Sequence, residues 1–87
     1  MANITITREE ETSVGWEFGV NVDALDFQVK LTKEYYEVLT DSRISPKDLV
    51  IKSFEFLLRK EPKELILRDF NIKDITKYFP EYEDAIS

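Results

Sequence analysis

Val14-Gly15-Trp16-Glu17-Phe18-Gly19-Val20-Asn21-Val22, continued after Asp23-Ala24 by Leu25-Asp26-Phe27-Gln28-Val29-Lys30-Leu31, is the stretch that decides the fold. Its apolar residues recur at every second position. Val14, Trp16, Phe18, Val20 and Val22 project one way, and Gly15, Glu17, Gly19, Asn21 and Asp23 the other. Leu25, Phe27, Val29 and Leu31 then alternate with Asp26, Gln28 and Lys30. Successive strand side chains project to opposite faces, so each half is a strand with one apolar and one wet face. A break this short joins only antiparallel neighbours, which predicts a hairpin. Both glycines, Gly15 and Gly19, fall on the polar side of the first half, the pattern of a bulge or a close backbone approach.

Upstream, Ile4 and Ile6 are separated by threonine, which suits a strand over about 3–7, and Arg8-Glu9-Glu10-Glu11-Thr12-Ser13 reads as a charged turn. Downstream the period becomes helical. Thr32 caps a short helix over about 33–39 that buries Tyr35, Val38 and Leu39, and Thr40-Asp41-Ser42-Arg43 is turn chemistry. Ser45-Pro46-Lys47-Asp48 is a strong helix start: a hydroxyl for the free amides, proline at the first helical position, and an acid three residues after the cap. The helix it opens, about 46–60, carries a stripe of Leu49, Val50, Phe54, Leu57 and Leu58, with acid-first pairs Asp48–Lys52 and Glu55–Arg59 on its outer side. Pro62 ends it or opens a short helix over about 63–67 carrying Leu65, Ile66 and Leu67. Asn71-Ile72-Lys73-Asp74 repeats the cap-plus-acid spacing for a helix over about 72–79, which Pro80 ends. Residues 81–87 read as a fraying acidic tail. Strands before helices predict one α+β domain over 1–80, a three-stranded antiparallel meander (about 3–7, 14–22, 25–31) roofed by the helix that Ser45 starts.

At 87 residues the chain has room for one small domain, with stability on the order of 5 kcal/mol. One Trp, four Tyr and six Phe supply large burial per residue. With neither Cys nor His, the common zinc sites, thiol chemistry and histidine bases are absent. The net charge of −6 is distributed as −4 over 1–23, +1 over 24–60 and −3 over 61–87, which disfavours phosphate backbones and anionic membranes. Met1-Ala2-Asn3-Ile4-Thr5 lacks the features of a secretory signal, and no apolar run approaches the roughly 20 residues of a membrane span. A cytoplasmic location is expected.

Leu31-Thr32-Lys33-Glu34-Tyr35-Tyr36, Arg43-Ile44-Ser45-Pro46, Ser53-Phe54-Glu55-Phe56-Leu57-Leu58, Glu61-Pro62, Phe70-Asn71-Ile72 and Tyr78-Phe79-Pro80-Glu81-Tyr82 resemble a family of short bacterial proteins of unknown function, over about residues 31–82. That resemblance implies an uncharacterised cytoplasmic protein and transfers no site residue. Strand 25–31, helix 32–40, a turn and a capped helix from Pro46 are also similar in order to ribbon-helix-helix repressors and antitoxins, over residues 25–60. In that family two chains pair one strand each in the major groove, which would make Asp26, Gln28 and Lys30 the base readers. Gln and Lys suit base edges, whereas Asp26 suits only a cytosine donor, and strand 14–22 competes for the same partner within one chain.

Other candidate sites have a structural explanation beside the functional one. Glu9-Glu10-Glu11 offers oxygen ligands for a hard cation, but adjacent carboxylates on a turn repel and stay hydrated. Trp16 and Phe18 could stack a base or sugar, yet they share a face with three valines, which makes them core. Tyr35, Tyr36, Tyr78 and Tyr82 read as packing groups with wet hydroxyls rather than phenol acids. Arg43, Lys47, Lys52, Arg59 and Lys60 read as a solvated helix edge because Asp48 and Glu55 interleave them. Tyr78-Phe79-Pro80-Glu81-Tyr82-Glu83-Asp84 could dock on a partner or fold back on the last helix. No catalytic, cofactor-binding or metal-ligating residue and no cofactor is nominated. The expected function is a small non-enzymatic protein-interaction module acting through a homodimer or a protein partner, with a ribbon-helix-helix-like DNA-binding regulator or antitoxin as the alternative.

Overall fold

The expected hairpin is the centre of the fold. In the computed structural model, which describes residues 3–86, β2 (Gly15–Val22) and β3 (Leu25–Thr32) pair antiparallel in unbroken register, from Gly15 opposite Thr32 to Val22 opposite Leu25. Asp23 makes the turn at φ 56°, in the left-handed region that Asp tolerates. Its carboxylate also accepts from the Asn3 amide and from Lys63, tying the turn to two distant segments. Phe18, Val20, Val22, Phe27, Val29 and Leu31 are all buried, as the alternation requires. Met1, Ala2 and Ser87, the last residue of the expected tail, lie outside the described residues.

The first strand is longer than 3–7. β1 (Ile4–Glu11) runs through the charged stretch that reads as a turn, and the chain reverses instead at Thr12-Ser13-Val14. Backbone pairing with β2 supplies the bonds here, and a solvated sheet edge accepts glutamates as readily as a turn does. A bulge at Thr7 shifts the register between Ile6 and Arg8, and Gly19 sits opposite it. A Cβ on Gly19 would lie 2.8 Å from Thr7 Oγ1 and 3.2 Å from Arg8 Cβ. Arg8 crosses this gap to donate to Gln28 while pairing with Glu10 at 2.9 Å. Val14 is the second correction. It precedes the ladder, and the turn leaves it 67% exposed rather than on the apolar face.

The helices cover one side of the sheet. α1 (Lys33–Thr40) is capped by Thr32, whose Oγ1 accepts from the Tyr35 amide. Tyr35, Tyr36 and Thr40 are its buried residues, a helical face that turns Val38 outward to 78% exposure, against expectation. α2 (Pro46–Lys60) begins as read, with Ser45 Oγ accepting from the Asp48 amide at 3.1 Å. Leu49, Val50, Phe54 and Leu57 are buried, Leu58 only partly, and Phe56 and Ser53 join them from outside the expected stripe. The Phe54 ring packs edge-on against Phe27 at 5.3 Å and tilted against Phe70 at 5.9 Å. Among the described residues Asp48–Lys52 and Glu55–Arg59 do not close into ion pairs.

Two departures lie beyond α2. The expected helix over 63–67 is only a 3-10 turn at Lys63–Leu65, after which the chain extends into β4 (Asp69–Asn71). β4 lies parallel to β3, with Phe70 opposite Val29, and completes a four-stranded mixed sheet in the order β1-β2-β3-β4. Asn71 and Asp74 form the expected capping box, opening a 3-10 turn at Ile72–Asp74 that continues as α3 (Ile75–Tyr78). Residues 82–86 then form α4 (Tyr82–Ile86) instead of fraying, and Tyr82 is fully buried. The α+β class stands, with four strands rather than three. Among the described residues no helix is long and apolar enough to cross a membrane.

Candidate functional site

Pro62 stops α2 abruptly, and the chain then passes from a 3-10 turn to an extended segment, so Leu65, Ile66 and Leu67 cannot all face inward. Ile66 is buried, while Leu65 and Leu67 are 66% and 53% exposed. Across from them α3 presents Tyr78, 65% exposed. Between these residues lies a groove of about 330 Å³ whose floor is core: Leu57 from α2, Ile66, Phe70 from β4 and Ile75 from α3. Phe79 completes its apolar lining, and Glu61 and Asp74 are its only charged lining residues. Asp74 is engaged twice, accepting from the Asn71 amide and pairing with Lys77 at 3.3 Å. A concave, mostly apolar site of this kind is suited to receive an apolar group of a ligand or binding partner.

Each residue singled out from the sequence has a definite place. Glu9, Glu10 and Glu11 lie on β1, where the strand period sends Glu10 to the face opposite its neighbours, so the three carboxylates do not converge. Among the described residues no cluster of three potential metal ligands exists. Phe18 is fully buried, and Trp16 is half-buried, edge-on to Tyr36 at 5.2 Å with Lys33 Nζ 5.9 Å from its ring centre. Neither forms an open stacking platform. Asp26, Gln28 and Lys30 face away from the helices. Asp26 accepts from Asn21 at 3.0 Å and Gln28 accepts from Arg8. Arg43, Lys47, Lys52, Arg59 and Lys60 are exposed, Lys60 pairing with Glu81 at 3.1 Å, a solvated edge as read. The segment from Tyr78 to Asp84 divides: Phe79 and Tyr82 fold back onto Phe56, and Tyr78 is left to the groove.

Three of the four tyrosine hydroxyls correct the expectation of wet phenols, while Tyr78 stays exposed as read. Tyr35 donates to Glu83 at 2.8 Å, Tyr36 donates to the Ile44 carbonyl, and Tyr82 shares a hydrogen bond with Ser53. Burial, and then the Glu83 carboxylate, pushes the Tyr35 phenol upward, and burial pushes Tyr82 to about 12. Both are therefore poor proton donors near neutrality. Between its unfolded value near 10 and about 12, Tyr82 keeps a proton in the fold that the unfolded chain releases. Stability from this group is complete below about pH 10 and falls as pH rises, by about 1.4 kcal/mol per pH unit. Urea midpoints measured across that window should decline, and Tyr82→Phe should decline less steeply than the parent. Equal slopes would contradict the burial assignment.

Of the groove residues, Tyr78 belongs to the Tyr78–Asp84 segment that the sequence offers as a docking candidate, whereas Leu65 and Leu67 are not among the sequence-derived candidates. The one available signal is Leu65-Ile66-Leu67 itself: three consecutive apolar residues just after a proline stop cannot all be buried in a short connection. Comparison with protein-family models, curated proteins and solved structures finds no match.

Proposed function

We propose that this chain is a non-enzymatic protein-interaction module that receives an apolar side chain of its partner in the groove between the end of α2 and α3. One observation carries the reading: Leu65, Leu67 and Tyr78 are large, exposed and gathered around a single concavity with a core floor. Scattered surface apolar residues need no explanation, whereas gathered ones mark contact sites. The resemblance of residues 31–82 to short bacterial proteins supports reading the module as bacterial and cytoplasmic. A ribbon-helix-helix regulator is the less supported reading, because it needs β3 free to pair with a second chain. β3 is bonded to β2 along one edge and to β4 along the other.

Photo-crosslinking tests the proposal. A benzophenone amino acid at position 78, in cells that express the chain, should give a discrete heavier adduct on irradiation. Leu65→Glu combined with Leu67→Glu should abolish the adduct yet change stability by no more than about 0.5 kcal/mol per site, since both side chains are exposed. A smear of products indifferent to these substitutions would count against the groove.

A further inference from the structure

A second concavity, of about 920 Å³, adjoins the groove and shares Asp74 with it. It is lined by Val14 and Val38, the two remaining large hydrophobic residues that stand exposed among the described residues. All five such residues, Val14, Val38, Leu65, Leu67 and Tyr78, therefore line one of two concavities that meet at one carboxylate.

The charge of this face is one-sided. Glu61 and Asp74 line the groove, and Glu34, Asp74 and Glu83 line its neighbour, against the single cation Lys73. Lysines on the flanking elements are committed elsewhere: Lys60 to Glu81, Lys63 to Asp23 and Lys33 to Glu11. Lys77 offsets only Asp74, and among the described residues Glu34 and Glu61 make no ion pair. We infer that the occupant is a cationic, amphipathic peptide segment of another protein, with one apolar side chain in the groove, a second against Val14 and Val38, and Lys or Arg residues between them facing Glu34, Glu61 and Asp74.

The inference rests on the protein-interaction reading and adds the chemistry of the partner. A second copy of this chain fits less well. A two-fold interface sets the same patch against itself, so it would oppose these carboxylates to their own symmetry mates. Anionic membranes and nucleic acids meet the same repulsion. A basic segment gains both apolar burial and complementary charge, and its encounter with the face is steered over about a Debye length.

Selection of random displayed peptides on the folded chain, with counter-selection on Leu67→Glu, tests this. Enriched peptides should carry net positive charge together with Leu, Ile, Phe or Trp. Their affinity should fall by about tenfold between roughly 50 and 500 mM NaCl, as screening removes the charge contribution. Glu34→Gln with Glu61→Gln should weaken them by about fivefold at the lower salt. Should Leu67→Glu fail to fold, Leu65→Glu serves as the counter-selection. Peptides that depend on Leu67 but carry no basic excess would overturn the inference and leave the module reading in place. Self-association abolished by Leu67→Glu would also overturn it, with the second copy as occupant. Failure to select any peptide sensitive to either leucine would remove both.

Discussion

Gly15→Ala is expected to cost about 3 kcal/mol or more, enough to leave a domain of this size largely unfolded at room temperature. A Cβ on Gly15 would stand 2.0 Å from the Leu31 carbonyl oxygen and 2.7 Å from Thr32 Cα. Both are backbone atoms of the paired strand, so no side chain can rotate aside, and relief requires the β2–β3 ladder to open at its end. That end is already crowded with function for the fold. The Gly15 amide donates to Thr12 Oγ1 and its carbonyl accepts from the Thr12 amide, closing the β1–β2 turn. Thr32, opposite, caps α1. Displacing the ladder here therefore strains a turn and a helix start together. Gly19→Ala is the control. Its nearest obstruction, at 2.8 Å, is the Thr7 hydroxyl, the end of a side chain that can rotate. It should cost about 1–2 kcal/mol, and less in a Thr7→Ala background. Urea denaturation of the three variants decides the matter; equal losses at the two glycines would refute the backbone-contact account.

Tyr82→Ala should cost about 3–5 kcal/mol, a core-sized loss from a position near the chain's end. The ring is fully buried and packs edge-on to Phe56 at 5.3 Å, and its hydroxyl meets Ser53 Oγ. Ser53 also donates to the Leu49 carbonyl at 2.7 Å, so Tyr82→Phe leaves no buried hydroxyl without a partner and should cost only about 1 kcal/mol. The pair of variants separates packing from hydrogen bonding. Calorimetric unfolding of both would show it: a loss for Tyr82→Ala within about 0.5 kcal/mol of the parent is what a solvated tail would give.

These two residues mark how far the sequence could be read. Gly15 was legible in kind, since a glycine on the wet side of a strand signals either a bulge or a close approach, and the two glycines here realise one each. Tyr82 was not. It sits among Glu81, Glu83 and Asp84 after Pro80, a composition that resembles a tail, and nothing nearby in sequence reveals the Phe56 ring that receives it. The groove was hidden for a related reason. Its floor is assembled from α2, β4 and α3, and β4 is three residues long, too short for an alternation to show.

The sequence by itself determined the features whose energetics are local: the β2–β3 hairpin from an unbroken period of two, the start of α2 from Ser45 and Pro46, and the Asn71–Asp74 capping box. In each, the groups that bond or share a face lie within a few residues or across a tight turn. Only the tertiary structure decided that Glu9, Glu10 and Glu11 belong to a strand, that β4 joins β3 from some forty residues away, with Gln28 opposite Asp69, and that Tyr82 is core. It also decided that Val14, Val38, Leu65, Leu67 and Tyr78 stay outside, lining two concavities that meet at Asp74. Those outcomes depend on backbone partners and buried surface contributed by remote segments, and local propensity yields wherever such a partner is in reach.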